Sequence, residues 1–491
     1  MPNPARADLV FGIVAAVGSP VTYITNVIEA AMRKRGYAPR TLHLSRYTKA
    51  LRLSTPWPPE GTDAYTRIGS LMKRGNELRA NAQRGDILAM FAAAEINALR
   101  DEPNTGKAFI LRQLKHPDEV YALRRIYGDG FHTVGIYCPK RARRKILHRH
   151  EGMDPGRADE LIERDENEPP TLGQKFRDTF YLSDVFISCK SEEAAEAESQ
   201  VDRFLNLLFG TKVISPHRDE YGMYLAHAAA LRSSSLARQV GAAILSPHGE
   251  VLAVGTNEVP RAGGGQYWQD ESPDSRDHVR GIDTSDAFKT EIMTEILAKL
   301  QGGWDDMSPE EQHASVADAI RNLKDARIMN LTEFMRAVHA EMEALSSALR
   351  VGVSTRGATL YTTTFPCHGC AKHIVVAGIC RVVYIEPYPK SLAMDLHDDS
   401  IALEEGSEST DKVRFEPFVG VAPRRYTDLF STTTRDGVRI RRKDSAGRVI
   451  EGEPQLRISM ADSTYMQREA NVARELKDLI GEPDNGTEEN H

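Results

Sequence analysis

Three of the chain's five cysteines, Cys367, Cys370 and Cys380, fall within fourteen residues, and His339-Ala-Glu341 lies 28 residues before the first of them. This spacing constrains the fold more than any other feature. Cys367 and Cys370 are three apart at the start of a helix predicted over 368–378, so both sulfurs share one face. Pro366 suits such a start, because its missing N–H costs nothing there. The helix N-terminus favours thiolates, the form that binds metal. His339 and the two cysteines make three zinc ligands, and a catalytic zinc keeps its fourth position for water. To share one ion, a helix over 333–349, a strand over 358–363 and the helix over 368–378 must bring their ends together. Glu341 would then stand beside the metal-activated water as acid and base. The competing reading is a closed structural zinc with His368 or His373 as fourth ligand. Such a site does not need Glu341. Cys138, Cys189 and Cys380 read as ordinary buried thiols.

The first 212 residues read as a separate α/β domain. Short apolar runs at 9–17, 41–44, 86–91, 108–114, 133–137 and 185–189 fit parallel strands, with helices at 25–35 and 68–84 between them. That alternation predicts a doubly wound sheet. Residues 15–22 fall where a phosphate-binding P-loop belongs, between the first strand and helix. Against G-x-x-x-x-G-K-[ST], Ala15 and Pro20 replace the glycines, Val21 replaces the lysine, and Thr22 keeps its type. Gly18 and Ser19 still permit a tight turn. The missing lysine argues against kinase or ATPase chemistry. Open readings are a regulatory nucleotide held by Gly18, Ser19 and Thr22, or a purely structural domain. The basic run 140–149 reads as a solvated helix face, a lid over a nucleotide phosphate, or an RNA contact. Residues 164–170 read as a loop.

A second domain is expected over 213–435, with strands at 239–246 and 250–255 and an insertion at about 262–330 that turns helical at 286–300 and 309–324. Residues 436–491 read as a polar, partly disordered tail, with 481–491 disordered. The net charge of −7, from 63 basic and 70 acidic residues, argues against a polynucleotide editor, which needs a long basic groove with stacking aromatics. The run 9–17 is about half the ~20 residues that span a bilayer and lacks a convincing cleavage site, so the expected compartment is the cytoplasm. Five cysteines, an odd number, do not suit a disulfide scaffold.

The H-x-E…P-C-x-x-C arrangement resembles the signature of the zinc-dependent cytidine deaminases. The stretch 238–244 resembles the first strand of their deoxycytidylate branch, and Gly255-Thr-Asn257 the end of the second, where an Asn contacts the sugar. The stretches 257–268, 366–373 and 386–391, behind a P-loop-like domain, are similar to the anti-phage dCTP deaminases of bacteria. The resemblance implies a P-loop-kinase-like doubly wound sheet followed by a cytidine-deaminase-like α/β/α sandwich. It also implies Zn2+, free deoxycytidine nucleotides as substrates (dCTP to dUTP, with dCMP also accepted) and depletion of dCTP as antiviral defence. A homo-oligomer, with a hexamer as the family's common form, and a small inhibitory RNA are further implications. Nucleotide phosphates need cations, and Arg238, Arg261 and Lys390 are candidates, with the glycines at 263–265 as a backbone approach. The alternatives are a housekeeping dCMP deaminase, a polynucleotide cytosine or adenine editor, and a non-enzymatic nucleotide sensor.

Overall fold

The computed structural model describes residues 8–100, 106–167, 175–189, 195–324, 326–331, 333–388, 390–403, 411–450, 457 and 464–480. The expected disorder at 481–491 lies outside them, as do residues 168–170 of the expected loop at 164–170, whose residues 164–167 are helical instead. By its contacts the chain divides into two compact units, residues 1–220 with 419–491, and residues 221–418. These bounds differ from a division at 212/213 and 435/436, because the chain returns to its first unit after completing the second.

In the first unit, strands β1 (Leu9–Ala15), β2 (Ala38–His43), β3 (Lys107–Arg112), β4 (Phe131–Tyr137) and β5 (Val185–Ser188) pair in parallel, in the order β5-β4-β1-β3-β2. Helices α1 (Val21–Lys34), α2 (Ala64–Ala82), α3 (Ile87–Ala98), α4 (Pro117–Tyr127), α5 (Lys140–Glu151), α6 (Pro155–Asn167), α7 (Phe176–Phe180) and α8 (Ala195–Phe209) connect or follow them. Successive residues of a strand face opposite sides, and β1 shows it. Leu9, Phe11, Ile13 and Ala15 pack with α1 and α8. Val10 and Val14 pack with α3 and α4 on the other side. The strand is therefore apolar throughout, as a doubly covered parallel strand must be.

One expectation fails here. Residues 86–91 were expected to be a strand and instead open α3. The run Ile87-Leu-Ala-Met-Phe-Ala-Ala-Ala is apolar throughout, so it carries no period to separate a buried helix from a buried strand. Its alanines favour the helix. The basic run 140–149 does form a helix, α5.

His132 on β4 is fully buried against Phe11 and Phe204, with ring centroids 5.6 and 6.2 Å away. Neither ring nitrogen has a partner among the described residues. Burial is the first cause that drops its pKa to about 3, so the folded state holds it neutral while an unfolded chain would protonate it near 6.5. Its contribution is complete above about pH 6.5 and is lost as pH falls toward 3, at up to about 1.4 kcal/mol per pH unit. Denaturant unfolding of wild type and His132→Leu between pH 7 and 4 should show the acid slope reduced in the variant. Parallel curves would refute the assignment.

The second unit begins within α9 (Arg218–Ala230). Its sheet contains β6 (Gly241–Leu245), β7 (Val251–Thr256), β8 (Thr359–Thr364), β9 (Arg381–Glu386), β10 (Ile401–Leu403) and β11 (Val413–Pro417), in the order β10-β11-β9-β8-β6-β7. The β6 pairings are antiparallel and the others parallel, so the sheet is mixed. Between β7 and β8 the insertion forms α10 (Asp277–Arg280), α11 (Thr284–Leu300) and α12 (Pro309–Asn322), with its own small core of Met293, Trp304 and Val316. Helices α13 (Ala340–Arg350), α14 (His368–Val376) and α15 (Ala393–Leu396) complete the unit. The helix expected at 333–349 starts instead at Ala340. The residues before it form a turn at 333–334, a bend at 337 and an isolated bridge at Val338, whose N–H donates to Glu258 O at 3.0 Å.

The chain then re-enters the first unit as β12 (Gly420–Val421), antiparallel to β5, followed by α16 (Pro423–Phe430) and α17 (Thr464–Ile480). Residues 464–480 were expected to be a tail and are a helix packed on α3. Its anchor is charged as well as apolar, since Tyr465 and Leu476 join the core beside α3. Arg100, with a side chain 1% exposed, bonds Glu469 at 3.0 Å, pairs with Asp8 and lies over the Tyr465 ring. A polar composition thus concealed a buried contact. Both units are α/β, each with one sheet. No helix among the described residues is long and apolar enough to cross a membrane.

Candidate metal centre

Two helix N-termini meet at the site. His339 is the N-cap of α13, and Cys367 is the N-cap of α14, its sulfur accepting from Cys370 N–H at 3.4 Å. His339 Nδ1 lies 3.3 Å from Cys370 Sγ and 3.4 Å from Cys367 Sγ. Ligands on a tetrahedral zinc at about 2.0–2.3 Å stand roughly 3.5 Å apart, so these separations fit the ion. The three donors form the metal-ligand group of this site, with all ligand atoms within 4.8 Å, and neither His368 nor His373 belongs to it. A fourth position is left for water, which favours a catalytic over a closed site. Glu341, the second residue of α13, is 4% exposed, with Oε2 3.5 Å from Cys370 Sγ.

The electrostatics suit a cation. The Cys370 thiol, followed by the His339 ring, pulls Cys367 down to about 3, so Cys367 is a thiolate. The same sulfur-to-sulfur hydrogen bond, with burial, holds the proton on Cys370. The hydrogen bond to Cys367 raises His339. A divalent ion would displace the thiol proton, since thiolate is the ligand form. Burial pushes Glu341 up, toward the range useful for proton transfer at neutral pH.

The remaining cysteines divide. Cys138 and Cys189 are buried, and burial pushes Cys189 up to about 11. Cys380, expected to be buried, is exposed and donates to Gly357 O and Ala358 O. It follows α14 at the edge of the core rather than within it.

His339, Cys367 and Glu341 line a cavity of 390 Å³, within the range of small-molecule sites, with Cys370 buried behind them. Arg238, Asn257 and Lys390 also line it. Arg238 pairs with Glu386 at 3.0 Å. The Asn257 amide is engaged with backbone, donating to Arg238 O at 2.8 Å and accepting from Val240 N–H at 2.7 Å. It holds the start of β6 and keeps one N–H for another partner. Arg261 is a correction: it does not line this cavity and pairs instead with Glu271. The adjacent glycines 263–265 all have positive φ and close a tight turn, with Arg261 N–H donating to Gly265 O at 3.0 Å. They do not line the cavity either. Gly18, Ser19 and Thr22 line a different cavity, in the first unit.

Residues 216–386 match the family described as "Cytidine and deoxycytidylate deaminase zinc-binding region". This region is a zinc-binding cytidine/deoxycytidylate deaminase domain. Among curated relatives, ComE operon protein 2 of Bacillus subtilis (strain 168) is 37% identical over 76 residues, 16% of this chain and 40% of that protein. The deoxycytidylate deaminase of Enterobacteria phage T2 is 48% identical over 54 residues, 11% of this chain and 29% of that protein. The matches thus span less than half the length of either relative. Similar solved structures include a dCMP deaminase from the cyanophage S-TIM5 in complex with dCMP and dUMP (19% identity, TM-score 0.24, 42% of this chain and 99% of that one). A gluconokinase from Sinorhizobium meliloti 1021 is similar at 12% identity (TM-score 0.24, 43% of this chain and 100% of that one).

The deaminase domain contains site residues that local sequence does not announce. Lys289 on α11 lines the cavity, 3.4 Å from the exposed Asp286. Met329, Leu331 and Met335 add an apolar wall. All follow β7 and precede α13, so the insertion helps to enclose the site. No motif marks them, because folding alone brings them there.

The position of α13 depends on Gly255 of β7. A Cβ there would lie 2.2 Å from Ala340 O and 2.3 Å from Ala344 N. Backbone cannot yield as a flexible side chain can, so Gly255→Ala must push α13 away. The expected cost is at least the roughly 1–3 kcal/mol of an overpacked core, with Glu341 displaced. A lowered Tm together with impaired turnover would bear this out. An unchanged Tm would contradict the close approach.

Proposed function

We propose that the chain is a zinc-dependent hydrolase that deaminates free deoxycytidine nucleotides, dCTP to dUTP and also dCMP to dUMP. The observation that carries this reading is the ligand cluster of His339, Cys367 and Cys370 beside Glu341, with His339, Cys367 and Glu341 facing one 390 Å³ cavity. Zinc, when bound, supplies Lewis-acid activation of water. Glu341 would take a proton from the attacking water and deliver it to N3 of cytosine, then take the second proton from the hydroxyl added at C4 and pass it to the departing amino group. Water is consumed, ammonia leaves and uracil remains. Asn257 orients the sugar. Arg238, Lys289 and Lys390 offer cationic groups at the same cavity for the phosphates.

The preference for triphosphate rests on the resemblance at 257–268, 366–373 and 386–391. Depletion of dCTP as antiviral defence, the homo-oligomer and an inhibitory RNA at 140–149 rest on that resemblance too. A housekeeping dCMP deaminase is the second reading, favoured by the deoxycytidylate deaminase among the relatives. Incubating zinc-loaded protein with dCTP, dCMP, deoxycytidine, CTP and single-stranded DNA, with products separated by chromatography, distinguishes them. dUTP from dCTP is the expected product. Turnover of dCMP alone would favour the second reading, and product only from DNA would overturn both.

A further inference from the structure

The first unit holds a cavity of 610 Å³ outside the carboxyl ends of three parallel strands. Its wall is made by residues 17–23 after β1, 43–45 at the end of β2 and 112–115 at the end of β3. Ligands of open α/β sheets bind at this edge.

The loop that a P-loop reading would use is already occupied by protein. Val17 N–H donates to Asp165 Oδ2 at 2.8 Å, Ser19 N–H to Ala16 O at 3.1 Å, and Val21 N–H to Ser19 O at 2.8 Å. Pro20 has no N–H. Lys115 Nζ holds Ala15 O at 2.9 Å and Asp165 at 2.8 Å, so it does not stand in for the missing lysine. A Cβ at Gly18 would meet Arg143 O at 2.9 Å, which leaves no gap between loop and α5. Such a loop cannot wrap a triphosphate.

The charges point elsewhere. Three lining cations are paired: Arg67 with Glu151 at 2.8 Å, Arg79 with Glu119 at 2.6 Å, and Lys115 with Asp165. Arg112 has no carboxylate partner among the described residues. Its Nη2 donates to Thr22 Oγ1 at 2.7 Å, in the first turn of α1. Burial, then Arg46, depresses the Arg112 pKa, and burial, then Arg112 and Arg46, depresses that of His43. These basic groups therefore act on one another, and Glu151, the lining acid that opposes the shift at Arg112, is already paired with Arg67. Ser19 lines the cavity and its Oγ is buried with no partner among the described residues, and α1 has neither a side-chain cap nor an acid in its first turn. An uncapped helix start adds favourable potential for a negative group. The lining also includes the apolar side chains of Leu71, Met72, Leu88 and Ile146.

We propose that this cavity is a second ligand site that takes a nucleoside monophosphate, its phosphate held by Arg112 and His43, and its base against the apolar part of the lining. The monophosphate, rather than the triphosphate, follows from the closed loop and from a small cationic cluster that matches one phosphate dianion. The site is independent of the deaminase reading, because its residues all lie in the first unit.

The test is calorimetric titration of the zinc-loaded full chain with AMP, GMP, adenosine, ATP and glucose 6-phosphate. Purine nucleotides are used because the deaminase cavity is read as a pyrimidine site. AMP or GMP should bind at least tenfold more tightly than adenosine, ATP or glucose 6-phosphate. Arg112→Gln should weaken AMP at least tenfold, the loss expected for a charged hydrogen bond. Lys289→Gln, in the deaminase cavity, should leave AMP affinity unchanged. If Arg112→Gln is misfolded by circular dichroism, His43→Gln serves in its place, with the same weakening expected. Equal affinity for adenosine and AMP, tighter ATP, equal glucose 6-phosphate, loss of AMP binding in Lys289→Gln, no binding at millimolar ligand, or unaltered binding in the folded cation variant would each overturn the proposal.

Discussion

Glu341→Gln is expected to retain zinc and lose turnover. The carboxylate is 4% exposed beside the metal ligands, but it is not one of them. Glutamine keeps its volume and its capacity to hydrogen-bond, so α13 and the His339 N-cap stay in place. What it removes is the ability to accept a proton and return it. Positioned acid–base groups contribute about 10²–10⁴-fold, and here one residue would serve two successive proton transfers, so kcat should fall toward the upper end of that range. Zinc content by metal analysis, with kcat on dCTP and dCMP, checks both halves. A variant that deaminates at the wild-type rate would remove Glu341 from the chemistry. One that loses zinc would make it a support of the metal site instead.

The parts of this molecule that sequence made legible are those whose signal is local. His339, Glu341, Cys367 and Cys370 lie at the starts of two helices, and metal ligation leaves few residue types for such positions. The strands of the first sheet were readable because β1, β3 and β4 are short, apolar and bounded by turns. Signals failed where a residue's meaning depends on distant partners. Residues 87–94 are apolar on every face, so only their packing decides between helix and strand. Residues 464–480 looked like a tail because Glu469 finds Arg100 more than three hundred residues away. Arg261 and Lys289 differ for the same reason. Both are surface-type cations far from the metal ligands in sequence, yet folding turns Arg261 toward Glu271 and brings Lys289 to the cavity.

Replacing a ligand should separate the metal from everything else. Cys370→Ser is expected to abolish stable zinc binding and, with it, turnover. Cys370 Sγ is nearly fully buried, 3.3 Å from His339 Nδ1, and is tied to Cys367 by the hydrogen bond that makes Cys367 a thiolate. A serine hydroxyl is a poorer zinc ligand than thiolate and would leave two strong donors for an ion that needs three from protein. Loss of a supporting hydrogen-bond partner alone costs about 10–100-fold in metal affinity, so loss of a ligand should exceed that. Zinc per chain should drop from one toward none, and kcat should fall with it. Chelation of wild type should reproduce the loss and added zinc should reverse it, whereas added zinc should not rescue Cys370→Ser. Cys380→Ser is the contrast: Cys380 is exposed and bonded only to backbone carbonyls, so both zinc and turnover should stay at wild-type values. Loss of zinc in Cys380→Ser but not in Cys370→Ser would move the metal away from the two helix N-termini, and the catalytic reading of Glu341 would fall with it.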